Sequence, residues 1–361
     1  MSPESVTAST TATARSAALP MALDANAQAF LGALDRALVA RLEEAPPEVH
    51  DVLLPRLAGD GKRLRPLLVH LAGTFGSPAP EHLIAIATVM ELIHTASLFH
   101  DDVMDRSETR RGRPTLHASH GAEVAVFAGA YLLQEAIHVV HHMPAIADST
   151  ARAIRDAVSR AALDLCVGQL AEILNIGNVN LRQEEHRAVL ERKTASLFEA
   201  SCRMAALATQ GPVEALTAFG HRFGVLYQVL DDIRDVACTA AELGKAPGSD
   251  LRSGTYTLPV LCALESEDAN ASALRLLLTS RSGKLAPPEL ERALVLLRET
   301  AGLSRALEHA EGIGAAALAA LGELPASPAR VELEELVNGL LAQARHVTGR
   351  FAGHAGAEAS A

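Results

Sequence analysis

Two carboxylates one helical turn apart repel each other, and the arrangement becomes favourable only when a cation sits between them. This chain carries it twice. In Leu98-Phe99-His100-Asp101-Asp102-Val103-Met104-Asp105, Asp101 and Asp105 are i and i+4 on one helix face, closing a long apolar stretch. In Gln228-Val229-Leu230-Asp231-Asp232-Ile233-Arg234-Asp235, Asp231 and Asp235 repeat the spacing. A few carboxylate oxygens per ion suit Mg²⁺, which keeps several waters and prefers a phosphate partner. Either copy alone also reads as a solvated acidic helix end. Two copies, each ending an apolar helix, point to two facing helices that hold a cluster of Mg²⁺ around a diphosphate.

Cations stand beside the carboxylates. Arg110-Arg111-Gly112-Arg113-Pro114 puts three arginines within four residues, and guanidinium groups pair bidentately with phosphate oxygens. Neutralising the adjacent aspartates is the competing reading, and it accounts for one arginine better than for three. Gly61-Lys62-Arg63-Leu64-Arg65-Pro66 precedes an apolar helix, where amide groups with Lys62 and Arg65 form either an anion site or an ordinary basic turn. Lys193, followed by Thr194, and Lys245, after the second motif, are further cations.

The elements that must position these groups are helices. Hydrophobic residues make up 49% of the chain, with no Trp and 3% aromatics, and the abundance of Ala and Leu favours helix over strand. Apolar periodicity predicts helices over 23–44, 61–75, 80–105, 121–142, 147–176, 183–209, 213–238, 256–266, 287–300, 303–322 and 328–350, with essentially no sheet. Breaks fall at Gly76-Ser77-Pro78, Met143-Pro144, Gly211-Pro212 and Ala286-Pro287-Pro288. Residues 1–20 and 352–361 read as disordered tails around one helical domain, 21–351.

The net charge of −11 argues against non-specific nucleic-acid binding, although local cations and bound metal can still recruit anions. Cys166, Cys202, Cys238 and Cys262 form no Cys-x-x-Cys pair and lie in apolar stretches, which suggests small buried side chains in a reducing compartment. No secretory signal is visible and no apolar run is expected to reach a membrane span, so a cytoplasmic location is expected.

Taken together, these segments resemble the polyprenyl synthetase family, the trans-isoprenyl diphosphate synthases. The resemblance covers about 60–265. It rests on the basic Gly61–Pro66 segment, both Asp-Asp-x-x-Asp motifs, Arg110–Pro114, Gly168-Gln169, Lys193-Thr194, and Gly244-Lys245…Asp250…Thr257-Leu258-Pro259. It implies an all-α fold, a single-domain helical bundle around a deep central cavity (the isoprenoid synthase type I fold), and a homodimer. It further implies that Asp101 and Asp105 bind two Mg²⁺ ions and Asp231 a third, with Asp235 supporting through water. Arg110, Lys193 and Lys245 would hold the allylic diphosphate. Lys62, Arg65, His94 and Arg111 would hold isopentenyl diphosphate. Gln169, Thr194 and Gln228 would line the reacting centre.

The implied reaction ionises the allylic diphosphate with help from metal and cations. The double bond of isopentenyl diphosphate attacks the cation, and the departing diphosphate takes the proton, in a cavity that excludes water. Two positions depart from the family pattern: Ala130 stands where Asp is frequent after Gly129, and Thr255 where Lys is frequent after Gly254. Ala96 and Ser97, the fifth and fourth residues before Asp101, are small. A bulky residue there would stop chain growth, since one turn rises about 5.4 Å. Small ones favour a product of geranylgeranyl length or longer, unless Phe127, Tyr131 or Leu132 forms the floor.

Three rivals remain. Glu91-x-x-His94 and Glu135-x-x-His138 have the spacing of di-iron helical bundles. A class I terpene cyclase shares the aspartate-rich helix but needs no second diphosphate pocket. An inactive partner subunit is expected to lose its aspartates, and all six are present here.

Overall fold

The computed structural model describes residues 22–57, 61–143, 146–280 and 284–351. The expected tails, 1–20 and 352–361, lie outside the described residues. Among the described residues, seventeen α-helices in chain order carry nearly all the regular structure: α1 Ala25–Glu43, α2 Pro47–Leu57, α3 Leu64–Gly73, α4 Pro80–Asp105, α5 Leu116–His120, α6 Ala122–His141, α7 Asp148–Leu174, α8 Gln183–Leu190, α9 Ser196–Thr209, α10 Val213–Ala237, α11 Ala240–Leu243, α12 Ser249–Ser253, α13 Leu258–Leu264, α14 Ala269–Thr279, α15 Pro287–Arg298, α16 Gly302–Gly322 and α17 Pro328–Thr348. A π-helical turn, Glu191–Ala195, joins α8 to α9, so the stretch expected as one helix over 183–209 is three pieces. The only strands among the described residues are β1 Thr109–Arg110 and β2 Arg113–Pro114, an antiparallel hairpin where a rigid loop was expected. Helix α2 escaped the periodicity because Pro47 and Pro55 read as breaks. Pro47 occupies the first helical position, where its missing N–H costs nothing.

Close contacts group the chain into two compact units. The first comprises 1–162, 197–220 and 320–336. Its axis is α4, which starts with Pro80 in the first turn and ends at Arg106 in the left-handed region, φ 54°. Ile86, Val89, Met90, Leu92 and Ile93 of α4 are buried, and each such side chain contributes about 1.5–3 kcal/mol by leaving water. Helix α6 packs along α4, and a Cβ on Gly129 would meet the tip of the His100 ring. The second unit comprises 163–196, 221–319 and 337–361. Its centre is α13, all of whose residues are buried, with α8, α14 and α15 against it.

Two expectations need correction. Helices α4 and α6 are long and apolar enough to cross a membrane by length and composition; 67% of the apolar window of α4 is buried within the chain, against 28% for α6. Cys166 is exposed, while Cys202, Cys238 and Cys262 are buried.

Candidate active site

In the first unit the final turns of α4 carry the first aspartate motif. With 100° per residue, His94, Ser97, Asp101 and Asp105 fall on one face at i−7, i−4, i and i+4. Asp101 is half-buried and Asp105 exposed. Asp102, a third of a turn round, points inward and is 3% exposed. Arg110, on β1, clamps it: Nε donates to both carboxylate oxygens at 2.9 and 3.1 Å, and a terminal nitrogen lies 2.8 Å from Oδ1.

Below that face is a cavity of about 100 Å³ whose lining includes Arg63, His94, Leu98, Arg110, Arg111 and Arg113. Burial, and then the charges of Arg65, Arg111, Arg110 and Arg63, hold the His94 imidazole well below histidine's usual range. It is neutral near pH 7 and surrounded by guanidinium groups, the electrostatics of an anion site. Arg65 also stacks over the Phe198 ring at 4.3 Å. Lys62 is half-buried next to this pocket's Gly61 and Arg63.

Arg63 was not among the expected residues, yet it is the buried one. It sits at φ 52°, pairs with Glu91 and with Asp35 at 3.4 Å, and donates to the Leu57 carbonyl at 2.5 Å. Arg111 shares the left-handed conformation, φ 52°. That conformation costs a non-glycine residue about 1–2 kcal/mol, and two such residues border one pocket. Glu91 and Glu135 are thus engaged by Arg63 and Arg41 respectively, which leaves neither Glu-x-x-His motif as a metal site.

The residues expected to set chain length lie as follows in the first unit. Ser97 lies directly beneath Asp101, half-buried, its hydroxyl donating to the His94 carbonyl at 2.8 Å. Ala96, the other expected floor residue, lies on a different side of α4 and is fully buried. Leu132 is fully buried, Tyr131 half-buried and Phe127 76% exposed. Ala130, the first departure, is half-buried on α6.

In the second unit the motif closes α10. Asp231 is exposed, while Asp232 and Asp235 are buried. Asp235 accepts from the Ser249 hydroxyl at 2.7 Å and the Asp250 amide at 3.2 Å, with Lys245 Nζ at 3.4 Å. Asp232 Oδ1 accepts from Gln228 Nε2 at 3.0 Å, and Gln228 Oε1 accepts from the Thr194 hydroxyl at 2.9 Å. With its proton committed to Gln228, Thr194 can offer only lone pairs to anything nearby.

The π-helical turn sets Lys193 and Thr194. Such turns recur at functional positions. Lys193 Nζ lies 2.5 Å from Glu172, which also receives Gln169 Nε2 at 3.4 Å. Gly168 is required because a Cβ there would collide with the Lys193 backbone. Glu172 escaped the sequence reading, although it stands one turn after Gly168-Gln169 on the same helix. Thr255, the second departure, meets Ser253 Oγ at 3.3 Å.

Do these groups suit a metal? Burial, then the charges of Asp235, Asp232 and Asp231, hold the Asp250 carboxyl well above the usual carboxylate range, and Lys245 only partly offsets them. Carboxylates crowded enough to retain a proton also favour a divalent cation. Among the described residues no three His, Cys, Asp or Glu side chains converge as a ready-made cage. An ion would therefore draw further ligands from water or phosphate, as Mg²⁺ does.

An all-helical chain with two aspartate-rich helix ends and a basic pocket has the build of a type I isoprenoid synthase. Comparison with known proteins agrees. The polyprenyl synthetase family profile matches residues 47–293. Nonaprenyl diphosphate synthase of Mycobacterium tuberculosis is 35% identical over 86% of this chain and 93% of its own length. Heptaprenyl diphosphate synthase component 2 of Bacillus subtilis is 32% identical, covering 83% and 84%. The crystal structure of a Caulobacter crescentus polyprenyl synthase, complexed with calcium and isoprenyl diphosphate, superposes with a TM-score of 0.80 at 28% identity, over 87% of this chain and 95% of that one. The chain belongs to the polyprenyl synthetase family and is a prenyltransferase.

Proposed function

We propose that this prenyltransferase condenses isopentenyl diphosphate head to tail with an allylic diphosphate and releases a product of geranylgeranyl length or longer. The observation that carries the reading is the basic cavity of the first unit, where Arg63, Arg65, Arg110 and Arg111 surround a neutral His94 beneath the aspartate face. A terpene cyclase ionises one diphosphate and has no use for a second pocket. Lys62, Arg65, His94 and Arg111 would hold isopentenyl diphosphate there. Arg110, Lys193 and Lys245 would hold the allylic diphosphate, exchanging part of their present pairing with Asp102, Glu172 and Asp235. Asp101 and Asp105 would hold two magnesium ions, and Asp231, supported by Asp235, a third. When bound, Mg²⁺ supplies electrostatic stabilisation of the leaving diphosphate. Gln169, Thr194 and Gln228 line the reacting centre in this reading, and Thr194's lone pairs suit an allylic cation. Small Ser97 supports a long product, as do relatives named for nonaprenyl and heptaprenyl products.

We further place the enzyme in the cytoplasm as a homodimer. Buried free Cys202, Cys238 and Cys262 suit a reducing compartment. Exposed Leu163, Val167, Leu170 and Leu174 on α7 follow the 4-3-4 spacing of a helix-pairing seam. Incubation with radiolabelled isopentenyl diphosphate, Mg²⁺ and each allylic primer, followed by product sizing, tests the activity. Labelled diphosphates of geranylgeranyl length or longer are expected; a cyclic hydrocarbon, or no incorporated label, overturns the reading. Light scattering of the purified chain, alone and as Leu170→Asp, tests the dimer.

A further inference from the structure

Behind the second aspartate motif lies a polar group that the reaction scheme above does not use. His186 belongs to α8, whose apolar face is His186, Val189 and Leu190. It is 5% exposed, and its Nε2 lies 3.5 Å from Oδ2 of Asp232, itself 2% exposed. Neither atom has a hydrogen-bond partner. Two buried polar atoms left unsatisfied would each be costly, but placed face to face they satisfy one another after a small rotation of the imidazole. Asp232 Oδ1 is already taken by Gln228, and Gln228 by Thr194. Donors and acceptors then run in one consistent direction: Thr194 donates to Gln228, Gln228 donates to Asp232, and only a donor can complete Asp232 from the far side. Histidine with its proton on Nε2 is such a donor.

We propose that His186 is a positioning residue of the second aspartate motif, its Nε2–H anchoring Asp232 so that Gln228 and the Thr194 hydroxyl are held in a fixed orientation. The inference rests on the reading that Thr194 and Gln228 line the reacting centre. Asp232 is the hub: it touches no substrate in this scheme, and it transmits the placement of a buried imidazole to a hydroxyl two hydrogen bonds away. A tyrosine or glutamine at 186 could serve as donor; a phenylalanine could fill the space and not the role.

The test has two arms on the full chain. Long-range ¹⁵N–¹H correlation of histidine ring nitrogens reads the tautomer without any substrate. The His186 signals, assigned by their loss in His186→Gln, are expected to show the Nε2–H form and to move in Asp232→Asn. An Nδ1–H tautomer, or signals indifferent to Asp232→Asn, overturns the proposal whatever the activity. In the kinetic arm, His186→Phe is expected to lower kcat roughly tenfold to a hundredfold while leaving KM for isopentenyl diphosphate unchanged, with His186→Gln restoring most of kcat. Equal kcat in the Phe and Gln variants at equal folded fraction also overturns it. If the wild-type chain elongates no primer, the functional reading fails, and the ring-nitrogen arm still decides the anchoring.

Discussion

The two aspartate motifs read alike in sequence and are anchored differently. In each, the middle aspartate turns inward while an outer one meets solvent. Asp102 is held by the permanent positive charge of Arg110 through short, forked contacts. Asp232 is held by the neutral amide of Gln228 and faces an imidazole at 3.5 Å. The first anchor joins the end of α4 to the arginine hairpin, so the guanidinium group and the carboxylate face are wired together. The second joins the end of α10 to Thr194 and the π-helical turn. One spacing of residues thus supports two kinds of coupling: charge to charge in the first unit, hydrogen-bond orientation in the second.

The comparison breaks most visibly at the outer aspartates. Asp101→Asn and Asp231→Asn are each expected to lower kcat/KM by about 10³-fold, as loss of a principal electrostatic stabiliser does; steady-state kinetics over a Mg²⁺ series checks this, with excess Mg²⁺ recovering part of the loss. Substituting the inner aspartates sharpens the contrast. Asp102→Asn strands the Arg110 charge and is expected to destabilise by about 2 kcal/mol, reduced by the partial solvation of that guanidinium, against about 1 kcal/mol for Asp232→Asn. Thermal or urea unfolding of the two variants measures the difference, and equal losses would refute the distinction.

A pH series addresses the first unit alone. Because the folded state holds His94 neutral well below histidine's usual range, the unfolded chain binds more protons below about pH 6.5, and stability must fall as pH falls through that region. His94→Gln is expected to flatten that portion of the urea-denaturation profile, and bound diphosphate to oppose the fall in the parent. The smallest effect on rate is expected from Ser97→Phe, which should shorten the product with little change in initial turnover. Ala96→Phe should instead destabilise by about 1–3 kcal/mol through overpacking. Product sizing and unfolding curves separate the two.

Much of this was legible in the sequence, for identifiable reasons. The i, i+4 aspartates declare themselves because a helix converts spacing into a shared face, and α4, α6 and α10 were found within a few residues because their apolar periodicity is long. Ser97 could be placed near the Asp101 face by the same 100° rule. Arg63 could not: its left-handed backbone and its partners Glu91 and Asp35 are set by tertiary packing. His186 left a faint signal, a histidine in register with Val189 and Leu190 on an otherwise apolar face. The π-helical turn left none, since apolar spacing changes little when one residue is added to one turn.

That extra residue makes the segment a phase adjuster. Shortening 191–195 by one residue would restore ordinary helical winding, yet it would swing Lys193 and Thr194 by about 100° away from Glu172 and Gln228. Length is therefore a guarded property of this stretch, alongside the identities of Lys193 and Thr194: a single-codon deletion should leave a helical protein whose lysine and threonine aim at the wrong neighbours.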